Sequence, residues 1–140
     1  MEQWYKRVGD PRTEAGRKLL TDRSPLTHAG AIKKPLLIGH GVNDARVNKA
    51  ESDQVVETMQ AKNIPVTYVL FPDEGHGFQR PENAKAFYAV AEGFLGDCLG
   101  GRVEPIGDDF TGSSINVPVG ADDVAGLADA LKTHKAEARN

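Results

Sequence analysis

Val66-Thr67-Tyr68-Val69-Leu70-Phe71 is the stretch on which the fold turns. It is β-branched and aromatic throughout, a composition that suits a pleated, buried surface. Pro72 stops it, and Asp73-Glu74-Gly75-His76-Gly77-Phe78 forms the loop that follows. Upstream, Pro35-Leu36-Leu37-Ile38-Gly39 is a second apolar run, bounded by proline and glycine. Being apolar on both faces, it reads as a buried parallel strand, and it ends in the polar loop His40-Gly41-Val42-Asn43-Asp44. Between the two strands, Asn48 with Glu51 resembles a capping box that opens a helix. Val55, Val56 and Met59 supply that helix with its apolar face, and Asn63-Ile64-Pro65 ends it.

A second helix opens with Pro81 in its first turn, where the missing N–H costs little. Ala84, Phe87, Tyr88, Ala91, Phe94, Leu95, Cys98 and Leu99 recur at helical spacing and predict its buried stripe, with Gly100-Gly101 as the stop. The order strand, helix, strand, helix, with these crossover lengths, fits a right-handed βαβ unit. The expected fold class is therefore α/β, parallel strands with crossover helices. Two such strands cannot cover both faces of a sheet, so the sheet is expected to be incomplete by itself.

Outward from this unit the signals weaken. Gly9-Asp10-Pro11 marks a turn, a helical pattern runs to Leu19 and Leu20, and Ser24-Pro25 breaks it. Leu26 to Lys34 reads as a connector with one helical turn. Arg102 to Asn116 has no period and reads as a loop. A last helix has Asp122 and Asp123 near its start, Lys132 and Lys135 near its end, and Val124, Leu127, Ala128 and Leu131 on its apolar face. The expected organisation is residues 1–101 as one domain portion and 102–140 as a loop-and-helix extension.

Bulk properties exclude more than they assign. A net charge of −3 presents no basic face for nucleic acid. No apolar run approaches the roughly 18 residues that a membrane span needs. Met1 to Arg7 lacks the charged-then-apolar pattern of a secretory signal, which tilts the expected compartment towards the cytoplasm. Cys98 is the single cysteine, so no internal disulfide or cysteine metal cage can form. Its place on the helix stripe predicts a small buried hydrophobe.

In open α/β sheets, functional groups gather just beyond the carboxyl ends of strands. Asp44 follows the first strand and His76 the second. Adjacent strands lie about 4.8 Å apart, close enough for a carboxylate to reach an imidazole. An Asp accepting from one ring nitrogen would leave the other free as a general base. Plainer roles compete: a loop aspartate commonly turns the chain through its own backbone bonds, and a histidine between glycines can simply be exposed. His40, Asp44 and His76 are also chemically able to ligate zinc. Arg46 is expected to pair with a carboxylate, His40 to pack or bond backbone, and Asp73 and Glu74 to face solvent.

Taken together, Ser24-Pro25-Leu26, the run Lys34-Pro35-Leu36-Leu37-Ile38-Gly39-His40-Gly41-Val42-Asn43-Asp44-Ala45-Arg46-Val47, and Phe71-Pro72-Asp73-Glu74-Gly75-His76-Gly77-Phe78 resemble the end of the prolyl oligopeptidase family catalytic domain. The likeness covers roughly the first hundred residues. It implies the C-terminal portion of an α/β-hydrolase fold, with Asp44 as triad acid, His76 as triad histidine, and no cofactor or metal. It implies a serine peptidase acting on short peptides, after proline or releasing N-terminal dipeptides or acyl-amino acids. In this fold the serine precedes the acid, which precedes the histidine. The only serines here are Ser24, Ser52, Ser113 and Ser114, none in a Gly-x-Ser-x-Gly elbow. The resemblance therefore implies an upstream segment carrying the nucleophile, and a chain inactive without it. An esterase or lactone hydrolase of the same fold, and a non-catalytic module that self-associates as a homo-oligomer through an open sheet edge, remain the alternatives.

Overall fold

The computed structural model describes residues 2–137, which divide into two compact units, one ending at Ile32 and the other beginning at Lys33. The first is helical: α1 (Glu2–Val8), α2 (Glu14–Arg23) and α3 (Pro25–His28), followed by a single 3₁₀ turn. The hydroxyl of Thr13 caps α2 by accepting from the N–H of Gly16.

The second unit carries the sheet. β1 (Leu36–Gly41) runs parallel to β2 (Val66–Phe71), with Leu36 opposite Val66 and Gly41 opposite Phe71. Between them α4 (Lys49–Ala61) starts where the Asn48 side chain accepts from the N–H of Ala50, at 2.9 Å. It ends in a Schellman turn: Asn63 takes a left-handed φ of 54°, Ile64 N–H reaches Met59 C=O, and Asn63 N–H reaches Gln60 C=O. α5 (Pro81–Leu99) follows β2, as its sequence predicts.

Two expectations need correction. Residues 102–116, without any period, do more than connect. Ile106, Phe110 and Ile115 are buried in the main core with Val69 and Phe71 of β2 and Ala86 and Val90 of α5. The segment continues into β3 (Asn116–Val119), which pairs antiparallel with β2 across an irregular register, so the sheet order is β1-β2-β3. Pro118 is tolerated because β3 is an edge strand with a bulge. β2 thereby becomes central, and all six of its residues are buried. The last helix, α6 (Leu127–Glu137), starts later than its apolar pattern suggests, although Val124, Leu127 and Leu131 are all in the core.

The second correction concerns α5. Its buried positions are Asn83, Ala86, Val90 and Gly93, not the large residues of the predicted stripe. A Cβ on Gly93 would lie 2.9 Å from Val124, so the small residues of α5 set how closely the C-terminal segment packs. Phe87 and Phe94 are half-buried, whereas Tyr88, Leu95 and Leu99 are 71%, 50% and 79% exposed, and Cys98 is exposed as well. Periodicity predicted a single buried stripe of mostly large residues, whereas packing within this chain buries the neighbouring small-residue face.

The core assignment gives a direct test. Leu127→Ala empties a fully buried site and is expected to destabilise the chain by about 2–5 kcal/mol in urea unfolding. Leu99→Ala should stay within about 0.5 kcal/mol. Equal losses at the two sites would refute this packing.

Candidate active site

Because β1 and β2 end at the same level, Gly41 opposite Phe71, the loops that leave them lie side by side. Backbone ties join them: Val42 N–H donates to Phe71 C=O at 3.0 Å and Asn43 N–H to Glu74 C=O at 2.9 Å. The Asn43 amide adds a third, donating to Pro72 C=O at 2.7 Å. The approach is so close that a Cβ on Gly41 would sit 2.2 Å from the carbonyl oxygen of Gly75. Gly77 holds φ at 105°, a conformation that side chains resist, and closes the tight loop that presents His76.

Across this junction His76 Nδ1 meets Asp44 Oδ2 at 2.9 Å. Asp44 both turns the chain and meets the imidazole, one contact per oxygen. Oδ1 accepts from the N–H groups of Arg46 at 2.8 Å and Val47 at 3.0 Å, turning the chain into α4. Oδ2 is left for the imidazole. The bond from the Val47 N–H, reinforced by those from His76 and Arg46 and opposed by desolvation, lowers the Asp44 pKa to about 2. Facing an ionised carboxylate, Nδ1 is the nitrogen that donates, and Nε2 is the ring atom not engaged with Asp44. The Asp44 side chain is 9% exposed and that of His76 52%, so the carboxylate is sheltered and the imidazole open to solvent.

Glu74, expected to face solvent, is buried. Its carboxylate accepts from Gln79 N–H at 3.0 Å and Arg80 N–H at 2.9 Å, clasping the histidine loop from one end to the other. Asn83, also fully buried, donates to it at 2.8 Å. Desolvation pushes the Glu74 pKa up, but the bonds from Asn83, Gln79 and Arg80 together outweigh it and leave the carboxyl below its ordinary value. Asp73 remains at the surface, paired with Arg80. Sequence reading missed Asn43, Glu74 and Asn83. The available signal for Glu74 was a carboxylate just before a helix start, where unpaired N–H groups need acceptors.

The other candidates separate from the pair. His40 is buried and its Nδ1 lies 3.0 Å from the Ser52 hydroxyl, a side-chain rather than backbone partner. Arg46 forms no side-chain ion pair among the described residues, contrary to expectation; its backbone N–H is what reaches Asp44. No group of three or more His, Cys, Asp or Glu side chains is arranged to hold a metal among the described residues. The hydroxyls of Ser113 and Ser114 are committed to Asn83 and Asp73, and that of Ser52 lies against His40.

Residues 1–102 match the model of the prolyl oligopeptidase family. The chain belongs to this family. It is 75% identical over 138 residues to dipeptidyl aminopeptidase BIII of Pseudoxanthomonas mexicana, covering 99% of this chain and 20% of that protein. It is 50% identical over 101 residues to dipeptidyl peptidase family member 6 of Caenorhabditis elegans, covering 71% and 14%. A more distant match, 32% over 63 residues, is the acylamino-acid-releasing enzyme of Sus scrofa, covering 45% and 9%. The chain thus spans about a fifth or less of the length of these relatives. The Asp44 loop and the His76 loop both lie inside the matched region.

Two outcomes test the site. The depressed Asp44 contributes stability that is complete above its unfolded pKa of about 3.9 and is lost as pH falls through about 2. Its carboxyl carbon, followed by NMR, should titrate near the lower value, and a midpoint at the ordinary value would refute the bonding described. Gly41→Ala should wedge the loops apart, abolish the His76 Nδ1–H signal and return Asp44 towards its ordinary pKa, while β1 and β2 remain paired.

Proposed function

We propose that Asp44 and His76 are the acid and base of a Ser–His–Asp triad, in a serine peptidase that removes dipeptides from the N-termini of short peptides. The single observation that carries this reading is the 2.9 Å contact from His76 Nδ1 to Asp44 Oδ2, on strand-end loops of a family member. The dipeptide preference rests on the names of the relatives, two of which are dipeptidyl peptidases.

The chemistry follows from the hydrogen-bond arrangement. Asp44 fixes the ring so that Nε2 faces outward and unprotonated. Nε2 takes the proton of a serine hydroxyl as its oxygen attacks the scissile carbonyl. Asp44 stabilises the imidazolium that forms, and Nε2 returns the proton to the departing amine. A water then repeats the cycle on the acyl-enzyme. The serine and its Gly-x-Ser-x-Gly elbow come from a segment upstream of Asp44, as the chain order of this fold requires.

The same reading accounts for two unfinished surfaces. β1 has one unpaired edge in the order β1-β2-β3, and α5 turns Tyr88, Leu95 and Leu99 outward. In an intact α/β-hydrolase, further parallel strands and their helices cover both.

The test is complementation. By itself the chain should neither bind a fluorophosphonate probe nor release nitroaniline from a dipeptidyl nitroanilide. Mixed with an upstream segment carrying the serine elbow, it should do both. His76→Ala should then abolish turnover, and Asp44→Asn should lower kcat by on the order of 10⁴-fold. Labelling of the chain alone that survives His76→Ala would overturn the assignment.

A further inference from the structure

The histidine loop is exposed, and its shape depends on a buried carboxylate that is itself held by a single side chain. Asn83 uses both ends of its amide. Its nitrogen donates to Glu74 at 2.8 Å and to Asp73 at 2.9 Å. Its oxygen accepts from the Ser113 hydroxyl at 2.9 Å and from the Ser114 N–H at 3.0 Å. Turning the amide over would set its oxygen against two carboxylates, so the orientation is forced. Ser113 is buried, and its hydroxyl also accepts from the Ile115 N–H at 3.1 Å. Phe110 and Ile115, 2% and 5% exposed, pin this turn into the core on either side. Arg80, at the far end of the histidine loop, donates to Gly112 C=O at 3.2 Å. Residues 110–115 lie beyond the stretch that matches the family model.

We propose that the Phe110–Ile115 turn is a positioning element for the catalytic histidine, holding the His76 loop in its reactive shape through Asn83 and Glu74. The inference rests on the reading of His76 as the base, but the contacts that transmit the effect do not. The hydrogen bonds of Ser113 and Asn83 do not reach His76; they run to the Glu74 carboxylate, and through it to the loop. Remove the Ser113 hydroxyl and the Asn83 oxygen loses a buried partner. The Ser114 N–H then holds that oxygen without the buried hydroxyl, the amide is loosened without turning over, and the Glu74 carboxylate that accepts from the Gln79 and Arg80 N–H groups is held less firmly. The loop opens without the sheet unfolding.

The experiment uses the full chain, with Ser113→Ala, Asn83→Asp, the half-exposed Ser114→Ala, and Leu131→Ala as a control that weakens the C-terminal core elsewhere. Asn83→Asp keeps the acceptor for Ser113 but sets a third carboxylate against Asp73 and Glu74, cutting the link from the other side. Hydrogen exchange at the Gln79 and Arg80 amides should accelerate by on the order of tenfold in Ser113→Ala and Asn83→Asp, and the His76 Nδ1–H signal should broaden. Ser114→Ala should move the same signals in the same direction but less, and serves if the buried variants fail to fold. Leu131→Ala should lower global stability and leave the ratio of loop to core exchange unchanged. In the complemented enzyme, Ser113→Ala should lower kcat by about 10–100-fold with KM within a factor of about two, and Ser113→Thr should restore part of it. If Ser113→Ala or Ser114→Ala leaves loop exchange and His76 as in the parent, the latch is wrong whatever the activity. If the exchange changes appear but the complemented enzyme never turns over, the latch stands and the peptidase assignment falls.

Discussion

The site depends on one close approach, that of Gly41 to the carbonyls of Glu74 and Gly75. With a Cβ at position 41 the first strand-end loop could not lie against the second, since the nearest carbonyl oxygen would be 2.2 Å away. The in-register parallel pairing of β1 with β2 brings the two loops to the same level. The missing side chain then lets backbone meet backbone, and the Asn43 bonds to Glu74 and Pro72 hold the junction closed. Everything chemical is placed by that seam. Asp44 and His76, 32 residues apart in sequence, come to 2.9 Å.

Within the seam the carboxylates divide their tasks. Asp44 gives one oxygen to its own turn and the other to the ring, so the carboxylate is fixed before it orients the imidazole. Glu74 gives both oxygens to N–H groups of the loop that carries His76. Burying a carboxylate is costly unless its lone pairs are satisfied, and here Gln79, Arg80 and Asn83 satisfy them. The charge cannot leave that pocket without unmaking the loop, which makes Glu74 a constraint on geometry more than a source of stability.

The residues beyond the family match reach the same loop from behind. Ile106, Phe110 and Ile115 join the core without any sequence period, from a segment that is neither helix nor strand. Their effect is to share one core with Val69 and Phe71 of β2 and Ala86 and Val90 of α5, and to seat Ser113 against Asn83. The small residues of α5 permit this, with Ala86 and Gly93 facing inward while Tyr88 and Leu99 face out. A helix whose apolar residues wrap around it has no unique inner face until its neighbours are present.

Read alone, the amino-acid sequence determined the strands β1 and β2, the helices α4 and α5 between and after them, and the residues Asp44 and His76 at the strand ends. These were legible because each rests on local rules: β-branched runs, caps, proline and glycine breaks, and a motif of short span. The sequence did not determine β3, the inward face of α5, the burial of Glu74 or the part played by Asn83 and Ser113. Each of those depends on which surfaces meet across long sequence separations, and no local pattern encodes that. A polar residue such as Asn83 reads as surface until the structure surrounds it with Glu74 on one side and Ser113 on the other. Only then does its amide become the joint between the C-terminal segment and the histidine loop.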